Sequence, residues 1–138
     1  MKQRVLFLCT GNSARSQMAE GWLRLLAGER FDVYSGGTHP VGLNPESIQT
    51  MTEVGIDIAH HRSKHVSELL AQPFDIVITV CDRAKDNCPR WPGTTRLLHW
   101  SFGDPAAVSD QWERRQMFRK VRDEIARTIR AFLATLPP

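Results

Sequence analysis

Cysteine is scarce in this chain: three in 138 residues, Cys9, Cys81 and Cys88. Three are too few for the disulfide framework of a small secreted fold, and thiols of this kind stay free in a reducing compartment. Long apolar runs are lacking too. No stretch approaches the ~20 residues of a membrane span. The run Val5 to Cys9 is too short for the core of a signal peptide. The expected location is therefore cytoplasmic, with no membrane association. The nucleotide-binding loop G-x4-GK-[ST] is missing. The five histidines (His39, His60, His61, His65 and His99) have no partner spacing for zinc, so no metal and no bound cofactor is expected. Charge of one sign is also in short supply. The net charge of +3 suits a small anionic ligand and is too weak to imply nucleic acid. No repeat, linker or low-complexity segment divides the chain, so residues 1–138 are expected to form one domain.

What is present is concentrated in Cys9 to Ser16, CTGNSARS. An apolar run, Arg4 to Leu8, precedes it and an amphipathic run follows, which reads as strand, tight loop, helix. Backbone N–H groups in such a turn converge on one point, and the following helix adds the positive end of its dipole. Thr10, Gly11, Asn12, Ser13, Ala14, Arg15 and Ser16 are therefore expected to form an oxyanion cradle. Gly11 gives the turn its freedom, and Arg15 can grip two oxygens at once. In that field Cys9 is expected to sit as a thiolate, with Ser16 donating to the sulfur. A thiolate inside an anion site is a nucleophile aimed at a bound oxyanion. A buried structural cysteine beside a surface arginine is the blander possibility, but C-x5-R-S between a strand and a helix is a specific combination.

The remaining elements alternate. A first helix is expected near Ser16 to Ala27, with Met18, Trp22, Leu25 and Leu26 inward and Gly28 closing it. A strand follows at Phe31 to Ser35. Asn44-Pro45 opens a second helix, closed by Gly55. A short helix is expected at Val66 to Gln72 and a β-branched strand at Asp75 to Val80. Asp82 to Pro89 reads as a weak helical turn, and Thr95 to His99 as a fourth strand. The last helix runs from about Asp110 to Leu136, with Trp112, Phe118, Val121, Ile125, Phe132 and Leu136 inward. The pattern implies an α/β three-layer sandwich with a four-stranded parallel sheet flanked by helices. Ligands then bind beyond the carboxyl ends of the strands, where Cys9, Cys81 and the loop after the fourth strand all fall.

Asp104 lies in that last loop. Alone it would read as a turn residue; beside the Cys9 loop it becomes a candidate general acid for a leaving oxygen. Cys81 and Cys88 add redox capacity. Two thiols becoming one disulfide supply two electrons, Cys81 could reach Cys9, and Cys88, in a polar run, could resolve the first disulfide. The arginines of the last helix alternate with Glu113, Asp123 and Glu124 and read as a solvated face.

Taken together, CTGNSARS followed by QMAEG, the GID at Gly55, VCDRAKDNC, His99-Trp100 and the DPA at Asp104 resemble the thioredoxin-coupled arsenate reductases built on the low-molecular-weight tyrosine phosphatase fold. The resemblance implies that Cys9 attacks arsenate held by the loop and Arg15, with Asp104 as general acid. Cys81 then attacks Cys9 and arsenite leaves. Cys88 attacks Cys81, and thioredoxin, or glutaredoxin in some relatives, reduces the Cys81–Cys88 bond. Some relatives bind potassium with help from a carboxylate where this chain has Lys64, so no potassium site is expected around Glu20 and Ser35. Phosphatases of the same fold usually have proline at the position of Gln17 and aromatic residues after Asp-Pro. Here Ala106-Ala107 follow; a tyrosine phosphatase of this fold is the main alternative, a side activity on phosphate esters fits the shared cradle, and a non-catalytic oxyanion-binding module is the lesser alternative. A monomer is the expected state.

Overall fold

The computed structural model describes residues 2–137. Four parallel strands form one sheet: β1 (Gln3–Cys9), β2 (Phe31–Gly37), β3 (Ile76–Thr79) and β4 (Arg96–His99), in the order β2-β1-β3-β4. β1 lies in the middle because its sequence permits nothing else. Val5, Leu6, Phe7 and Leu8 are all fully buried, so the run is apolar on both faces, as a strand covered by helices on both sides must be. β1 pairs with β2 from Gln3↔Phe31 to Cys9↔Gly37 and with β3 from Val5↔Ile76 to Leu8↔Thr79. The chain thus leaves β1 for one side of the sheet and returns on the other. The crevice beyond the carboxyl ends of β1 and β3 is the switch point at which ligands bind in such sheets.

The helices are α1 (Arg15–Ala27), α2 (Pro45–Thr52), α3 (Asp82–Asp86) and α4 (Gln111–Ala134), with 3-10 turns at Val66–Leu69 and Pro105–Ala107. α1, α2 and α4 pack against one another, while α3 touches β1 and β3. The capping matches the sequence. Asn44 Oδ1 accepts from the Glu46 N–H at 2.8 Å, with Pro45 in the first turn, and Asp110 Oδ2 accepts from Glu113 N at 2.9 Å.

Several expectations need correction. Leu25 is 59% exposed. The inward stripe of α1 is Met18, Ala19, Trp22 and Leu23, which adds the i+1 neighbours of the two anchors and turns Leu25 outward. Trp112 is 68% exposed, because it sits one residue into α4, before that helix reaches the core at Phe118. The helix expected at Val66 to Gln72 is a single 3-10 turn; Pro73 follows and disfavours helical geometry at Gln72. α2 ends at Thr52, and Gly55, at φ +80°, lies in the turn beyond it. The arginines of α4 are not simply solvated. Arg114 pairs with Glu46, and Arg119 and Arg122 converge on Glu53, tying α4 to α2. The Arg122 side chain is only 11% exposed.

Candidate active site

The loop after β1 is held by its carbonyls. Those of Cys9, Thr10, Gly11 and Ser13 accept from the N–H groups of Thr38, His39, Val41 and Asn44, at 2.8–3.2 Å. The strap after β2 therefore takes up the acceptors of the loop. Among the described residues no protein acceptor takes the N–H of Gly11, Ser13, Ala14 or Arg15, so the donors remain for an anion. Gly37 is required for the strap to lie this close: a Cβ there would meet the Thr10 carbonyl oxygen at 2.6 Å.

Asn12 locks the loop from inside. It is fully buried and takes φ +44°, a left-handed conformation that asparagine tolerates better than most residues. Its Oδ1 accepts from the Lys64 N–H at 2.9 Å, which fixes the orientation of the amide. Nδ2 then donates to Ser16 Oγ at 2.8 Å. With that lone pair engaged, the Ser16 hydroxyl proton is free for Cys9 Sγ, 2.9 Å away. The Asn12 N–H reaches the same sulfur at 3.1 Å. Two donors thus converge on one buried sulfur.

A strut supports this arrangement. Buried Gln17 donates through Nε2 to the carbonyls of Asn12 and Arg62, each at 3.1 Å. Its Oε1 accepts from His61 Nδ1 at 3.0 Å. His61 Nε2 in turn faces Arg24 Nη1 at 3.2 Å, so the ring is held neutral. Burial pushes the His61 pKa below its ordinary value, against the opposing pull of Glu20, with Arg24, His60 and Lys64 also lowering it. Glu20 is already engaged by Ser35 and Arg24, at 2.5 and 2.8 Å. The Lys64 ammonium, lowered in pKa by burial and raised by Glu20, donates to the Arg62 carbonyl at 3.1 Å.

The loop opens into a cavity of about 390 Å³ lined by Cys9, Thr10, Gly11, Ser13, Ala14 and Arg15, and by Asp104 and Ala106 from the segment after β4. Arg15 is anchored across the site by Nη1 to the Phe102 carbonyl, 3.0 Å. Asp104 both caps the 3-10 turn, accepting from Ala106 N at 3.0 Å, and lines the cavity. The two readings of that residue are therefore compatible. Asn12 and Ser16 lie behind the cradle, in contact with the sulfur.

Cys81 lies two residues beyond β3, where it caps the start of α3, rather than ending the strand as expected. It is buried, and its sulfur lies 3.3 Å from Thr10 Oγ1 while accepting from Ala84 N at 3.4 Å. The Val80 N–H to Leu8 carbonyl bond, 2.9 Å, holds the two strand ends side by side. All three thiols are free. Cys88 is less exposed than its polar surroundings suggested. The turn before Pro89 tucks it, half-buried, against the core, beside a second cavity of about 220 Å³ with Leu97, Leu98 and His99. His99 links this side together: Nδ1 lies 2.7 Å from Thr79 Oγ1 and Nε2 lies 2.9 Å from Asp82 Oδ1.

Sequence reasoning missed His39, Val41, Asn44 and Arg83, which complete the lining of the first cavity. The position of His39 and Val41 just after β2, at the binding edge, was a usable signal. It also missed the Gln17–His61 strut, which joins residues 44 apart and leaves no local trace.

A parallel sheet with a thiol, an arginine and an amide cradle at the switch point defines the class of small thiol phosphatase folds. The family described as low molecular weight phosphotyrosine protein phosphatase matches residues 4–137, and the chain belongs to it. Within that family it is similar to several arsenate reductases, and its fold is shared with tyrosine phosphatases. An arsenate reductase of Halalkalibacterium halodurans is 45% identical over 135 residues, 97% of each chain. A solved arsenate reductase in its phosphate-binding state is 31% identical, with a TM-score of 0.84 over 98% of this chain and 99% of that one. A thioredoxin-dependent arsenate reductase of Corynebacterium glutamicum is 25% identical, with a TM-score of 0.72, covering 98% of this chain and 64% of that one. No helix among the described residues is long and apolar enough to cross a membrane.

Proposed function

We propose that this protein is an arsenate reductase that works by a three-thiol cascade. The observation that carries the reading is the convergence on one sheet edge of a donor-stabilised Cys9 and a buried Cys81, joined through Thr10. The Cys9 thiolate attacks the arsenic of bound arsenate, Asp104 protonates the departing hydroxyl, and a thiol ester of arsenate remains. Cys81 attacks the Cys9 sulfur. The S–As bond breaks with its electron pair going to arsenic, which is reduced from the +5 to the +3 state and leaves as arsenite. Cys88 then attacks Cys81, Cys9 departs as thiolate, and the Cys81–Cys88 disulfide takes two electrons from thioredoxin. The name of the Corynebacterium relative favours thioredoxin over glutaredoxin as donor. The reading places the protein in the cytoplasm as a monomer, with arsenate or phosphate as its anion and no metal or other cofactor.

The last thiol exchange needs movement. α3 spans Asp82–Asp86, between the two cysteines, and its backbone bonds hold the segment extended along a helix axis. A disulfide requires Cα atoms within ~7 Å, so joining Cys81 to Cys88 calls for α3 to loosen. Ala84 is its one buried residue, which makes opening cheap.

The test is arsenate-dependent oxidation of NADPH with thioredoxin and thioredoxin reductase, run beside glutathione with glutaredoxin and beside hydrolysis of an aryl phosphate. Turnover with thioredoxin is expected. Phosphate-ester hydrolysis without arsenate-dependent oxidation in either system would make the protein a phosphatase instead.

A further inference from the structure

We propose that Arg83 is a second cationic clamp on the bound oxyanion, and that the charge of the anion holds α3 closed over the site. Arg83 lies on α3, yet it lines the same cavity as Cys9, Arg15 and Asp104. Its guanidinium has no carboxylate or carbonyl partner among the described residues. Arg15, the other arginine of that cavity, is held by the Phe102 carbonyl. Nor is the whole helix basic toward the site: Lys85 lines the other cavity, with Cys88.

The charges of the site leave room for it. An oxyanion with roughly two negative charges beside a thiolate brings about three. Arg15 supplies one positive charge and the α1 terminus about half of another. A second guanidinium reduces the deficit. The first turn of α3 is set for this role by bonds at its start. Ala84 N donates to Cys81 Sγ, and Asp82 Oδ1 accepts from His99 Nε2 and Ser101 Oγ, at 2.9 and 3.3 Å.

The proposed resolving thiol, Cys88, follows two residues after the same helix. The Arg83 carbonyl accepts both the backbone N–H and the side-chain Nδ2 of Asn87, at 3.2 and 2.8 Å. Drawing Cys88 toward Cys81 breaks these bonds and shifts Arg83 with them. By linkage, an anion that grips Arg83 opposes unwinding, and unwinding weakens the anion. The consequence for turnover rests on the three-thiol reading. Arsenate is charged and keeps α3 closed; arsenite is an uncharged acid at neutral pH and gives the clamp nothing to hold. Cys88 is thereby withheld until reduction has occurred.

The clamp is tested on reduced protein with inorganic phosphate alone, by calorimetry and by hydrogen exchange. Arg83→Ala is expected to weaken phosphate binding about fivefold, and Arg83→Lys to restore most of it. The gap should narrow as salt is raised. Saturating phosphate should slow amide exchange across residues 82–88 in the wild type and not in Arg83→Ala. With arsenate, Arg83→Ala should raise KM without lowering kcat. Unchanged phosphate affinity in Arg83→Ala, or wild-type exchange across 82–88 indifferent to phosphate, overturns the proposal. A chain that shows the phosphate effects and does not reduce arsenate supports the clamp and overturns the reductase reading.

Discussion

The loop that bears Cys9 and the segment that bears Cys81 and Cys88 leave the sheet from adjacent strands, yet they are built in opposite ways. In the first, Asn12, Ser16 and Gln17 are fully buried, and each is held by hydrogen bonds to other parts of the chain. In the second, Ala84 is the only buried residue of α3, and its bonds to β4 and the residues just after it run through exposed Asp82. A cradle that stabilises charge must not relax, because preorganised donors keep their full effect on an anion. Under the proposed cascade, a segment that brings Cys88 to Cys81 must be able to let go. One sheet edge therefore supports a fixed half and a movable half.

The largest expected effect comes from emptying the fixed half of its nucleophile. Cys9→Ser should lower both arsenate reduction and any aryl-phosphate hydrolysis by at least about a thousandfold. Cys81→Ser separates the halves: arsenate turnover should be lost while aryl-phosphate hydrolysis stays near wild type. Full arsenate turnover in this variant would remove the distinction. Asp104→Asn should slow the first chemical step of both reactions by roughly a hundredfold or more, as expected for loss of a general acid.

Smaller effects sharpen the contrast in rigidity. Asn12→Ala leaves the Lys64 N–H and Ser16 without their partner and puts alanine at positive φ, so it should destabilise the fold by about 2–3 kcal/mol, read by urea unfolding. Asp82→Ala removes the exposed ties to His99 and Ser101. It should leave global unfolding unchanged and speed exchange across α3 severalfold. The strut has a pH signature. Because burial lowers the pKa of His61 in the folded state, the unfolded chain takes up the proton first as pH falls below about 6.5. Stability present above that pH is thus lost as pH falls toward the folded value. His61→Gln should flatten this part of the stability–pH curve.

The parts legible in the sequence are those that local pattern dictates. β1 announced itself as an apolar run, CTGNSARS as a strand–loop–helix cradle, and Asn44-Pro45 as a cap. Trp112 and Leu25 misled because periodicity gives an apolar residue's spacing and not whether anything lies opposite it. The Asn12 latch, the Gln17–His61 strut and the pairing of Arg119 and Arg122 with Glu53 depend on contacts between distant segments, which no local pattern encodes. Arg83 looked like one more charge in a polar run. Only the return of α3 to the Cys9 loop sets it beside the anion site.

The central claim, that a fixed nucleophile hands oxidation to a movable pair, is tested most directly by a single turnover. Fully reduced protein is mixed with excess arsenate and no external thiol, then alkylated, digested and mapped by mass spectrometry while arsenite is quantified. The expected result is one arsenite per chain, Cys9 alkylated, and Cys81 joined to Cys88. No arsenite with all three thiols alkylated, or arsenite formed with Cys88 still free and Cys9 joined to Cys81 as the final state, would contradict it.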